Sequence, residues 1–242
     1  MAKVSGLNVR CFVMGRDISG DANALDGMGY TQETLDVTPL NTLAMKRITG
    51  RSDGSLSINC YFDAGTNLSH STFTSNSGKL PTANQIITAP LGSAVGSDFA
   101  GLIAKESDYN VTSGVGSAVS ASASFSATAG VGGEFGEMLT AFDDTHSSAT
   151  NGTAVDNSAS SSAGGAGYAH FLSLSSGSVV IKIQDSPDNV TYTDIITFST
   201  VGTGDVPTAE RLEMTGSVGR YIRVQSSGTF TNAVIAVGFV RY

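Results

Sequence analysis

Three histidines and two acidic runs are the residues of this chain whose types could do chemistry. DDTH, 143–146, sets two carboxylates beside an imidazole, a combination that can hold a cation. Asp17, Asp21 and Asp26 crowd a glycine-rich passage but miss the alternate-residue register of a calcium loop. His70, His146 and His170 fall in different predicted elements, so none has a neighbouring base or orienting acid in sequence. The chain has no G-x-S-x-G elbow, no GxGxxG and no Walker loop. The simpler readings are a solvated acidic loop for DDTH, a turn for GDANALDG, and surface or hydrogen-bonded core histidines. No enzyme activity, catalytic residue, metal or cofactor is expected.

Cys11 and Cys60 lie inside predicted strands and at no zinc spacing from a histidine. They are either two buried thiols, the simpler reading in a cytoplasmic chain, or a disulfide. The sequons at Asn67, Asn110, Asn151 and Asn189 are chance matches in a Ser/Thr-rich chain. MAKVSGLNVRCF turns polar at once, unlike a signal peptide, and no apolar run is long enough for a membrane helix. Folding in a cytoplasm, with no membrane partner, is the expectation.

The 242 residues carry 40% hydrophobic and 14% charged side chains, 29 glycines and no Trp. That composition folds, and it favours many short strands and turns. The net charge is −8. Residues 131–170 hold Glu134, Glu137, Asp143, Asp144 and Asp156 with no Lys or Arg. A basic stripe for gripping nucleic acid is absent.

SAVSASASFSATA, 117–129, decides how the rest is read. Val119, Ala121, Ala123, Phe125, Ala127 and Ala129 share one parity; Ser120, Ser122, Ser124, Ser126 and Thr128 share the other. Alternation of this kind marks a strand with one apolar and one polar face, not a flexible linker. Fully extended it would run about 43 Å.

Further strands are predicted over 7–15, 55–62, 85–89, 99–105 and 108–112, with a turn-rich passage at 16–29 and weak helical period over 64–76. In 36–50, Thr38 could cap a helix with Pro39 at its first position, Leu40, Leu43, Ala44 and Ile48 on one face, and Gly50 as its stop. The competing reading is an extended arm packed on a partner. In either case Pro39, Leu40, Leu43 and Ile48 are the candidate subunit-interface residues. Residues 131–167 lack period and read as a connection. Strands then recur at 168–174, 179–185, 191–199, 210–215, 220–226 and 233–242, the last apolar on both faces and so central. The resulting division is 1–150, a Ser/Gly-rich connection over 151–167, and 168–242.

YFDAGTNLSHSTF, KLPTANQIITAPLGSAVGSDFAGLIAKESDYNVT, FGEMLTAFDDT and VGRYIRVQSSGTFTNAVIAVGFVR, taken in order, resemble the tail tube (major tail) proteins of long-tailed bacteriophages. The resemblance spans about residues 55–242 and rests on ordered fragments, not on a catalytic motif. It implies an all-β fold: a β-sandwich tail-tube-like domain with a short flanking helix, followed by a C-terminal β-sandwich. It also implies a structural role in the virion, assembled in the host cytoplasm. Subunits would form hexameric rings stacked into a tube, meeting terminator and distal tail proteins at its ends and passing phage DNA without specific binding. Long strands would pair edge to edge between subunits, closed by symmetry. IQDSPDNVTYTDI with RYIRV also resembles sugar-binding jelly-roll modules, which leaves a virion-surface decoration or carbohydrate-binding protein as the alternative. The absence of Trp and the scarcity of loop aromatics weigh against sugar capture.

Overall fold

The computed structural model describes residue 6, residues 8–75 and residues 77–242. Its elements in chain order are β1 (Phe12–Val13), β2 (Arg16–Asp17), β3 (Ala22–Asp36), β4 (Arg47–Tyr61), helix α1 (Ser69–Phe73), β5 (Gln85–Pro90), β6 (Asp98–Thr112), β7 (Ser120–Ala127) and β8 (Glu134–Met138). There follow β9 (Asp144–His146), β10 (Thr150–Asn151), β11 (Val155–Asp156), β12 (Gly165–Ser186), β13 (Thr193–Thr197), β14 (Val201–Gly202), β15 (Thr208–Met214) and β16 (Tyr221–Arg241). The protein is all-β, and every strand pair is antiparallel. No helix among the described residues is long and apolar enough to cross a membrane.

Two strand groups meet along β8. In the first, β3, β4, β7 and β6 lie side by side. Leu56, Ile58, Cys60, Ala121, Ala123 and Phe125 line its apolar face and pack on Phe73 of α1 and on Val13, Ile18 and Ile87. Full burial of each larger apolar side chain is worth about 1.5–3 kcal/mol. In the second group β12 and β16 pair along nearly their whole length. A third cluster, with Phe12, Phe99, Met138, Tyr168 and Val240, joins the two groups. The main strand order through both is β13-β12-β16-β8-β6-β5-β1-β2.

Several expectations are corrected. The helix proposed from Pro39 does not form; the helix of this region is α1, five residues within 64–76. Thr38 closes a hairpin loop instead: its hydroxyl and amide bind Asp36 Oδ1, and Lys46 N–H donates to Thr38 Oγ1 at 2.7 Å. Of the passage 16–29 expected to turn, 19–21 does so, but from Ala22 it is β3, which absorbs its irregular spacing in bulges at Ala22/Ala24, Met28/Gly29 and Gln32/Thr34. Of the strand expected over 7–15 only Phe12–Val13, β1, is strand, and Leu7 lies outside the described residues.

The strands expected at 99–105 and 108–112 are one strand with a bulge at Glu106/Asp108. The alternating run of 117–129 is a strand for eight residues only. Ala129 and Gly130, both at positive φ, stop it. The apparent connection of 151–167 carries β11 and the start of β12, and β9, β10 and β11 lie along one edge of β16. Ladder hydrogen bonds on an edge require no side-chain period, so periodicity could not mark them.

Four of the expected C-terminal strands are halves of two. Ser175-Ser176-Gly177 and Ser226-Ser227-Gly228 resemble turns but face each other across the ladder, Gly177 opposite Phe230 and Val179 opposite Gly228. Both glycines have positive φ, 80° and 112°. A Cβ on Gly177 would stand 2.0 Å from the Thr229 carbonyl oxygen, and one on Gly228 2.5 Å from that of Ser178. The two strands therefore pass through these glycines with their register kept, and the one register shift of this ladder lies between Phe171 and Ser173. β16 has partners on both edges, as its two apolar faces suggested.

Candidate assembly interface

The sheet β3-β4-β7-β6 has two free edges. Among the described residues β3 pairs with β4 alone. β6 has β5 on one side as far as Ala104; beyond that residue only the β7 side is paired, so the other edge of 105–112 is open. An open edge of this length presents a row of unpaired backbone donors and acceptors. The alternating run of 117–129 supplies no open edge, because β7 lies between β4 and β6.

The two open edges lie on opposite sides of the sheet and run antiparallel to each other, because three antiparallel pairings separate them. A copy rotated about an external axis can set its β3 against β6 of its neighbour and keep the up-down alternation unbroken. An odd number of strands would not allow this. Association of this kind is heterologous, and it closes when the rotation divides a full turn.

One face of the sheet is polar. Ser57 and Asn59 of β4 and Ser122 and Ser124 of β7 lie on it, opposite Asp26 of β3 and Asp108 and Asn110 of β6. Asn59 Nδ2 donates to Asp26 Oδ2 at 2.9 Å. Over the stretch where all four strands lie side by side, Ser55–Tyr61 of β4, the fixed charges of this face are Asp26, Lys105 and Asp108.

Beyond the sheet, β3 and β4 continue as a two-stranded arm. Its root is held: the Tyr30 and Phe135 rings are 6.3 Å apart, and a Cβ on Gly133 would stand 2.4 Å from the Gly29 carbonyl oxygen, so the loop crosses the arm at contact distance. Pro39, Leu40 and Leu43 are in the loop at its tip and Ile48 is on β4. Leu40 and Leu43 are fully exposed and Ile48 is half exposed. Leu35, Val37 and Met45 surround them, also exposed. Sequence reasoning missed these three; the spacing of apolar residues on both sides of Pro39 was the available signal.

The candidate chemical residues do not converge. His170 is buried, accepting from Gly15 N–H at Nδ1 and placing Nε2 at 2.9 Å from Thr88 Oγ1. Burial pushes its pKa down to about 3, so it is a neutral core histidine. His146 is buried against Ser226 Oγ at 2.8 Å, with Asp144 3.4 Å from its other nitrogen. His70 binds the Tyr109 hydroxyl at 3.0 Å. Asp17 is paired with Arg10, Asp21 accepts from Ser69 N–H and Asp26 from Asn59. Among the described residues no three His, Cys, Asp or Glu side chains gather as a metal ion requires. Cys11 and Cys60 are buried free thiols. Burial is the main cause that raises both, Cys60 to about 11.

No family model matches the sequence, and no curated protein matches it. Among solved structures, a chain in the tail of an empty gene transfer agent particle, refined with helical C6 symmetry, is 12% identical with a TM-score of 0.40, over 52% of this chain and 95% of that one. A chain of the sheath-tube complex of an extracellular contractile injection system is 13% identical with a TM-score of 0.44, over 56% and 92%. The SPP1 Dit protein, from a phage hub adsorption apparatus, is 11% identical with a TM-score of 0.37, over 99% and 100%. None reaches a TM-score of 0.5, and at such identities they assign neither family nor function.

Proposed function

We propose that this chain is a structural protein of a phage virion. It is the subunit that closes into rings and stacks as the hollow tube of the tail. The observation that carries the reading is the pair of opposite, antiparallel open edges on a four-stranded sheet. Ring closure pairs both edges at once and removes the aggregation hazard that each presents alone. The Ser-rich face then lines the bore, and the arm reaches from its own ring to the next, placing Leu40 and Leu43 against a neighbouring copy. Six subunits per ring, passage of DNA through the bore, assembly in the host cytoplasm, and contact with terminator and distal tail proteins come from the sequence resemblance. Strands after residue 168 form the outer part of each subunit in this reading.

Negative-stain imaging of the purified full-length protein tests it. Rings or tubes are the expected result. Dispersed monomers or trimers over the whole accessible concentration range would reject ring closure and favour a surface decoration protein.

A further inference from the structure

Glu106 is the least satisfied charged group in this sheet. Its residue is only 7% exposed, and neither carboxyl oxygen has a hydrogen-bond partner among the described residues. Folded proteins rarely leave such a group alone. Leu102, Ala104 and Glu106 share one parity, which puts Glu106 on the apolar face with Phe125 as its cross-strand neighbour. It also stands where β6 loses β5 and its outer edge opens, at the start of the Glu106/Asp108 bulge.

No base faces it. On its own strand, Asp108 is a like charge, while Lys105 sits opposite Ser126 and binds the Thr82 carbonyl. Tyr109 is engaged by His70. The paired stretch of β7 holds no ionisable side chain, nor does β5; over Ser55–Tyr61, the part paired with β7, β4 contributes only the buried Cys60 thiol and Tyr61, its Arg47, Arg51 and Asp53 lying farther along the strand. Burial first, and Asp108 second, raise the Glu106 pKa to about 8. The strand expected to dock on this edge is no remedy: β3 carries Asp26, Glu33 and Asp36 and no Lys, Arg or His.

We propose that Glu106 is a neutral carboxylic acid at pH 7 and that its ionisation opposes docking of a neighbouring copy's β3 on the open edge of 105–112, which makes assembly proton-linked. The second half rests on the ring reading above. The sign follows from linkage: docking beside further negative charge raises the carboxyl again, so the assembled state keeps a proton that the free chain loses above about pH 8. Each pH unit beyond that point weakens one edge contact by up to about tenfold.

The test measures assembly by sedimentation between pH 7 and 9.5 for wild type and Glu106→Gln, which is neutral and nearly isosteric. Wild type should need at least about tenfold more protein to assemble at the alkaline end, and Glu106→Gln should show little change. Equal pH dependence in both, or none in wild type, overturns the linkage. If the variant fails to fold, wild type alone still decides the first half through a carbon-13 titration of the Glu106 carboxyl. A midpoint near the ordinary glutamate value overturns it. A folded chain that assembles at no pH removes the ring reading and the linkage together, while the titration still reports on protonation.

Discussion

The Arg211 guanidinium grips Glu134 with two hydrogen bonds, Nε to Oε2 and Nη2 to Oε1, each 2.8 Å. Arg211 is on β15 and Glu134 on β8, so the pair ties the two strand groups together. Tyr168 and Tyr242 add their hydroxyls to the same carboxylate, and both charged side chains are nearly buried. Burial alone would raise the Glu134 pKa, but the hydrogen bonds from Arg211, Tyr168 and Tyr242 outweigh it and hold the carboxyl below its ordinary range.

Arg211→Ala would leave that carboxylate buried without its cation, at a cost of about 3–5 kcal/mol. For a chain of this size each kcal/mol moves the Tm by about 2–4 °C. A drop of under 2 °C by calorimetry would mean that the clamp contributes little. The same contacts bear on whether residues 168–242 are separable. A chain ending near Gly152 loses Tyr168 and Arg211 and uncovers Phe12, Phe99 and Met138. It should be insoluble, and a soluble truncation that still polymerises would establish the outer strands as an independent module.

His170 gives the fold an acid limit of known sign. Its pKa is lowered in the folded state, so the stability it supports is complete above about pH 6.5 and is lost as pH falls toward 3. The loss is up to about 1.4 kcal/mol per pH unit across that window. Glu106 acts in the opposite sense, its raised pKa making the folded chain more stable as pH falls from about 8 to 4.5. The two therefore offset each other between about pH 4.5 and 6.5. Denaturant midpoints against pH separate them: His170→Gln should flatten the acid limb and Glu106→Gln the neutral one. An unchanged acid limb in His170→Gln would place the acid sensitivity elsewhere.

Leu40→Ser with Leu43→Ser should abolish assembly and leave the isolated subunit as stable as wild type, within about 0.5 kcal/mol. The reason is exposure: neither side chain touches the rest of its own chain enough to lose solvent contact. Burying each against a neighbour contributes about 1.5–3 kcal/mol before ordering costs. Assembly measured by sedimentation and Tm by calorimetry are read together. A lowered Tm would put these leucines in the subunit's own core, and unchanged tubes would remove the arm tip from the interface.

Much of the apolar core was legible because period two survives wherever one face is buried, as in Leu56, Ile58 and Cys60 against Ser55, Ser57 and Asn59. What failed was backbone logic. Gly27 and Gly29 read as turns but occupy a bulged strand, and Gly177 and Gly228 also read as turns but sit within a continuing ladder. β9, β10 and β11 carry too few residues to show any period. The exposed tip was legible as an apolar passage bordered by turn signals, but not as a hairpin. Its closure depends on Thr38 reaching Asp36 and Lys46, a choice that sequence alone leaves level with a helix cap. Glu106 was visible on the parity of Leu102 and Ala104, and went unremarked because a single acid in an alternating run looks like an ordinary polar position.

The polar face of the sheet sets a final expectation. Over the four-stranded stretch, with Lys105 alone against Asp26 and Asp108, each copy presents an excess of one negative charge among hydroxyls and amides. If that face lines the bore, duplex DNA meets no phosphate clamp, and repulsion is limited to about 8 Å by physiological salt. Wild-type tubes should therefore retain no duplex DNA at about 0.15 M salt. Ser122→Arg with Ser124→Arg introduces two rings of guanidinium groups on the same face, next to the Asn59 and Ser57 positions. Those tubes should retain DNA, and retention should fall steeply as salt rises, because each neutralised phosphate releases counterions. A pull-down of labelled duplex with sedimented tubes reads both. Retention by wild type that is independent of salt, or none by the arginine variant despite intact tubes, would show that this face does not line the bore.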